Sequence, residues 1–208
     1  GGLISGTATT VSYAGRSAEA PARSPAAALV IVLASTIVFA RVMVELAVVS
    51  PSVLGETLPP LVATMAIMIV IAGALYTKGV ASATAEMEDQ DPPSDLKSAI
   101  LFGALYGAVL LAVAFAEDQF GTSGLYVVAA ISGLTDMDAI TLSTAQLMQE
   151  DGLDPSVGWR AILIGGLANT VFKGGVVVAL GAPALRRRIA VAFGAAIVGG
   201  GALLVLWP

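Results

Sequence analysis

Cysteine and histidine are both missing from this 208-residue sequence, and only 12% of its residues are charged. Without cysteine there can be no disulfide, thiolate metal site or thiol nucleophile. Without histidine the side chain that usually carries protons near neutral pH is gone, and with it the commonest metal ligand. No Ser–Lys dyad stands in for them, so the chain does not read as an enzyme, and no cofactor is expected. The formal net charge is −5, and the ten basic residues form no stripe interleaved with aromatics, which excludes a nucleic-acid partner.

What remains is apolar. Hydrophobic residues make up 57% of the chain, and the mean hydropathy is +0.89. The few charges gather between apolar runs of roughly 20 residues, the length that crosses a hydrocarbon core as helix. The fold class is therefore an all-α polytopic membrane protein, with the lipid bilayer as its first partner. Spanning helices are predicted at Ala26 to Val49, Leu58 to Thr77, Ser98 to Ala116, Ala161 to Leu180 and Ile189 to Trp207. Pro51, Pro59-Pro60 and Pro183 punctuate their ends, and Trp159 and Trp207 are expected at interface depth. Lys78 to Lys97 is polar, acidic and contains Pro92-Pro93, the one real linker. The chain opens Gly-Gly-Leu-Ile-Ser-Gly with no initiator Met and no basic flank, and so reads as a fragment rather than as a signal peptide.

Two stretches break the pattern, Gly2 to Ala14 and Leu125 to Met148, both rich in Gly, Ser and Thr. The second has an apolar half, Leu125 to Leu134, then Thr-Asp-Met-Asp, then Ala139 to Met148, which reads as a broken or re-entrant element. The halves of the chain also echo one another. Ile4-Ser5-Gly6 returns as Ile131-Ser132-Gly133, and Leu33 to Val38 returns as Leu167 to Phe172, in the same order. This gives a first membrane repeat at 1–80, lacking its first helix, a polar linker at 81–97 and a second repeat at 98–208. If Leu125 to Met148 dips in and returns, then Arg16, Arg23, Lys78, Lys97 and Arg186 to Arg188 share one side, and only Arg160 is misplaced. Three crossings per repeat then make the two repeats inverted.

Asp136 and Asp138 are the central candidates, because a carboxylate in lipid costs on the order of 3 kcal/mol and must face a cavity or a partner. With Ser132, Thr135 and Thr141 they form an oxygen-only set suited to a hard metal cation, Na⁺ or a proton. In the first repeat Ser5, Thr7, Thr9 and Thr10 supply hydroxyls but no carboxylate, and Asn169 lies on a span. Arg41 and Glu45 sit one turn apart and can pair within their helix. Lys173, deeper and with no acid a turn away, could neutralise Asp136 or Asp138 and serve in coupling. The small-residue runs Gly165-Gly166 and Gly199-Gly200-Gly201 permit close helix contacts, including those of a homo-oligomer.

The stretches Gly2 to Ala14 and Ile131 to Ser143, supported by Gly165 to Lys173, resemble the DUF4010 family, a membrane domain found C-terminal to MgtC/SapB-type segments in bacterial and archaeal proteins. The resemblance covers essentially the whole chain. It implies a multi-pass protein of a prokaryotic inner or plasma membrane with an MgtC-like N-terminal segment as possible partner, and implies no activity. The expected function is a transporter or channel-like protein moving a small cation through a midplane site between Thr135-Asp136-Met137-Asp138 and Ser5 to Ser12. The rival readings are a regulatory or assembly module, and a proton-coupled carrier of an anion or small solute held by half-helix N-termini and Lys173.

Overall fold

A computed structural model describes residues 6–77, 124–135 and 137–208. The expected span at 98–116 and the linker at 81–97 lie outside these residues. Every regular element among them is helical. In chain order these are α1 (Gly6–Glu19), α2 (Ser24–Val49), α3 (Leu54–Leu75), α4 (Leu125–Thr135), α5 (Met137–Gln149), α6 (Pro155–Leu180) and α7 (Pro183–Leu206). One-turn 3₁₀ segments at Pro21–Arg23 and Pro51–Val53 join α1 to α2 and α2 to α3. Helices α2, α3, α6 and α7, the first two extended by those turns, are long and apolar enough to cross a membrane. At 1.5 Å per residue their α-helical parts alone reach about 33 to 39 Å. The chain is an all-helical membrane protein.

Three spans begin earlier than their apolar runs because a proline sits in the first turn, where its missing N–H costs nothing. Pro25 opens α2, Pro155 opens α6 and Pro183 opens α7. Arg186, Arg187 and Arg188 therefore belong to the first turns of α7 and not to a loop. Helix α3 also starts early and carries Pro59 and Pro60 inside it. The carbonyls these prolines cannot serve belong to Gly55 and Glu56, which are exposed and open to water. Asp154 caps α6 by accepting from the Ser156 backbone N–H at 2.8 Å. Bonds from the Ser156 side chain and backbone hold the Asp154 carboxyl below the ordinary aspartate range.

A few contacts fix the helix directions. A Cβ on Gly165 of α6 would lie 3.3 Å from both the Ala129 carbonyl oxygen and Ile140 Cγ2. In one continuous helix residues 129 and 140 would be about 16 Å apart along the axis, so α4 and α5 must fold back on each other. Asn169 meets Gly133 while Met148 packs on Gly158. Helix α4 thus runs with α6, and α5 runs against it. Ser17 Oγ accepts from the Ala182 N–H at 3.0 Å, and Lys173 lies beside Gly6, so α1 runs with the final turns of α6.

These directions sort the chain ends. Arg16, Arg23 and Arg186 to Arg188 gather at one end, here the basic end, together with Glu19. Glu56, Glu150, Asp151 and Asp154 gather at the other. Arg160 is the exception at the acidic end. It stacks 4.3 Å above the Trp159 ring and donates to the carbonyls of Ser156 and Trp207. Trp159, expected at an interface, is at that level along the helix but fully buried beneath its neighbours.

Glycines let the helices approach. Gly199 meets Ile67 and Gly200 meets Leu167, so these small residues serve packing within the chain. One approach is backbone on backbone: a Cβ on Gly133 would lie 2.5 Å from Gly165 Cα and closer still to its carbonyl oxygen. No rotamer relieves that clash. Gly133→Ala should destabilise the protein at or beyond the upper end of the usual range of about 1–3 kcal/mol for overpacking. Gly175→Ala, with nothing within 4 Å, should be neutral or stabilising. Thermal melts of both variants in detergent check this.

Candidate functional site

Two helices are described from points about halfway along the bundle. Helix α1 is described from Gly6, beside Ala34 of α2 and Lys173 of α6. Helix α5 starts at Met137, which packs on Gly165 and Gly166 of α6. From these points α1 runs to the basic end and α5 to the acidic end, so their N-termini face each other. The seven-residue step along α6 from Gly166 to Lys173 puts them about 10 Å apart along the axis. The dipole of each helix directs its positive end toward mid-bundle.

Lys173 is the largest charged group buried here, with a relative exposure of 1%. Its Nζ would lie 2.9 Å from a Cβ on Gly6, which places the ammonium against the first residue of α1. Among the described residues it makes no ion pair or hydrogen bond. The expected bridge to Asp138 is replaced by another, because Asp138 accepts from Arg41 Nη2. The reason is register: α5 begins about 10 Å short of Lys173 along α6, level with Arg41 of α2. Arg41 Nε also lies 3.6 Å from Glu45 Oε1, so one guanidinium serves two carboxylates.

The remaining candidates divide. Asn169 is buried and donates from Nδ2 to the Gly133 carbonyl at 2.9 Å, satisfying the end of α4. Thr10 is buried and spends its proton on the Gly6 carbonyl at 2.8 Å. Thr9 is buried beside it, Thr7 is half-buried, and Ser132 is half-buried on α4. Thr141 is fully buried, and among the described residues its hydroxyl has no hydrogen-bond partner. Ser5 and Asp136 lie outside the described residues, and Thr135 is described only as the last residue of α4. Among the described residues no three carboxylates come together as a metal site. The bridge from Arg41 to Asp138 was not read from sequence. The signal was present, since an arginine within a span needs a counter-charge and α5 opens with one.

The family described as "Domain of unknown function (DUF4010)" matches residues 1–181. The chain belongs to the DUF4010 family. A protein of Aquifex aeolicus (strain VF5) named only "Uncharacterized protein" is 28% identical to this DUF4010 chain over 188 residues, which span 89% of the chain and 81% of the relative. No solved structure matches.

The ion cluster gives a prediction about stability. Removing Arg41 takes its cation from between the Asp138 and Glu45 carboxylates, which costs most where water is scarce. Both Arg41 and Asp138 are about a third exposed, which tempers that cost. Arg41→Met should therefore destabilise by about 2 kcal/mol or more. Adding Asp138→Asn should recover part of it, a coupling of about 0.5–3 kcal/mol in a double-mutant cycle. Purely additive losses would mean that the bridge contributes nothing.

Proposed function

We propose that this protein carries a small anionic solute across the membrane, bound between the facing N-termini of α1 and α5. The observation that carries this reading is Lys173. A buried ammonium set against a helix N-terminus brings two positive groups together in an apolar bundle, at a cost an anion between them would remove. The cation reading of the sequence needs free carboxylates, and Asp138 gives its charge to Arg41.

The order of the helices supports transport. Helices α1, α2 and α3 run to the basic, acidic and basic ends, and α5, α6 and α7 run to the acidic, basic and acidic ends. That is the same order in opposite senses, as inverted repeats require. The pair α4 and α5, entering and leaving at the acidic end, has the form of a re-entrant hairpin. Carriers built this way hold solutes at mid-depth between half-helices. The arginines make the basic end cytoplasmic in a prokaryotic plasma membrane.

Proteoliposome uptake tests the reading with acetate, lactate, phosphate and sulfate at fixed ionic strength. At least one should be taken up. That uptake should fall by about tenfold or more in Lys173→Met, equivalent to about 1.4 kcal/mol or more of lost binding, and be partly retained in Lys173→Arg. Flux of Mg²⁺, Ca²⁺ or Na⁺ that survives Lys173→Met but is lost in Asp136→Asn/Asp138→Asn would instead establish a cation carrier. No flux of any of these ions would leave a regulatory or assembly module.

A further inference from the structure

The groups on α2 and α5 from Arg41 and Asp138 toward the acidic end lie on the far side of the α5 start from Lys173. The two helices run side by side in the same sense, from Arg41 against Asp138 to Ser52, whose hydroxyl donates to Gln149 Oε1 at 3.0 Å. Between those points lie Glu45 on α2 and, one turn on from Asp138, Thr141 on α5. Arg41 lies about four to five residues past the middle of α2, about 7 Å from mid-depth and about 8 Å inside a 30 Å hydrocarbon core. Yet 34% of its side chain and 35% of that of Asp138 are open. Hydrocarbon against such a pair is costly.

The threonines point the same way. Thr10, Ser35, Thr36, Thr64 and Thr170 are buried and donate to the carbonyl four residues back, the ordinary use of a hydroxyl in a membrane helix. Thr141 and Thr144 are also fully buried but make no such bond, and among the described residues neither hydroxyl has a partner. An unpartnered buried hydroxyl costs about 1–3 kcal/mol. A water admitted beside Asp138 would answer Thr141, one turn further along α5.

We infer that the seam between α2 and α5 is an aqueous inlet, opening at the acidic end beside Ser52 and Gln149 and leading water inward to Arg41 and Asp138. Thr141, one turn on from Asp138, stands at its α5 wall, and Glu45 lines its length on α2. The inference concerns access from one membrane face and holds for a cargo of either sign.

The cysteine-free chain makes the test direct, since each cysteine introduced is the only thiol. A charged, membrane-impermeant methanethiosulfonate reagent reacts with thiolate, which forms in water and is suppressed in hydrocarbon. Full-length Glu45→Cys and Thr141→Cys variants in liposomes are compared with Val44→Cys and Val48→Cys. Val44 and Val48 neighbour Glu45 on α2 and are 63% and 76% exposed on its apolar outer face. Ser52→Cys marks the mouth. With reagent on the acidic-end side, Glu45→Cys and Thr141→Cys should react roughly tenfold or more faster than the two valine positions, one unit of thiol pKa being worth that factor. Reagent on the other side should give no labelling. Should Glu45→Cys fail to assemble, Thr141→Cys decides, because it is close in size to threonine and breaks no hydrogen bond. Labelling at the valine rate, with full reaction after unfolding in detergent, would show a dry seam and overturn the inlet. Labelling only from the basic end would overturn its direction.

Discussion

A helix that stops inside an apolar bundle leaves backbone groups with nothing to bond, and the rest of this structure depends on how those groups are met. Helix α4 ends at mid-depth, and the carboxamide of Asn169 answers the Gly133 carbonyl there. That bond is possible only because Gly133 lies backbone to backbone on Gly165. Gly165 in turn packs against Ile140 and Met137 of the returning helix. One hydrogen bond and two glycines thus hold α4 and α5 side by side on α6. The same contacts place the start of α5 level with Arg41.

The two half-helix starts are then treated differently. At α5 the adjoining Asp138 is drawn sideways to Arg41 on α2, so negative charge next to a positive helix end is shared with a cation across the seam. At α1 there is no acid among the described residues, and a lysine from α6 approaches instead. The first turns of α1 carry hydroxyls and no carboxylate, whereas the first turn of α5 carries Asp138. On the turn of α2 beside α6 the side chain is Phe39, whose ring packs on Gly166.

Much of the architecture was legible because membrane helices are written as long apolar runs, and four of these correspond to α2, α3, α6 and α7. Their first turns were misplaced for one reason: prolines read as punctuation outside a helix stand inside it at Pro25, Pro155 and Pro183, and deeper still at Pro59 and Pro60. The interruption near Asp136 was legible from two carboxylates in apolar surroundings, and α4 and α5 meet there. What the sequence could not supply was register between helices distant in the chain. Lys173 and Asp138 both lie near mid-depth, yet they are separated along α6 by an offset that only Gly165 and Met137 reveal. Asn169 looked like a ligand, since an amide can serve solute or backbone equally, and its partner is a carbonyl 36 residues away.

Arg160 shows what the bias of basic residues toward one end measures. Counted as a charge, it sits on the wrong side. Its guanidinium, however, lies flat on the Trp159 ring and holds the carbonyls of Ser156 and Trp207, fastening the end of α7 to the start of α6. A guanidinium so engaged acts as a fastener between two helix ends, with few donors left to hold a lipid phosphate. Topology in such a chain is therefore weighed by cations that remain at leisure to meet headgroups, and an arginine already employed by its own fold casts little vote.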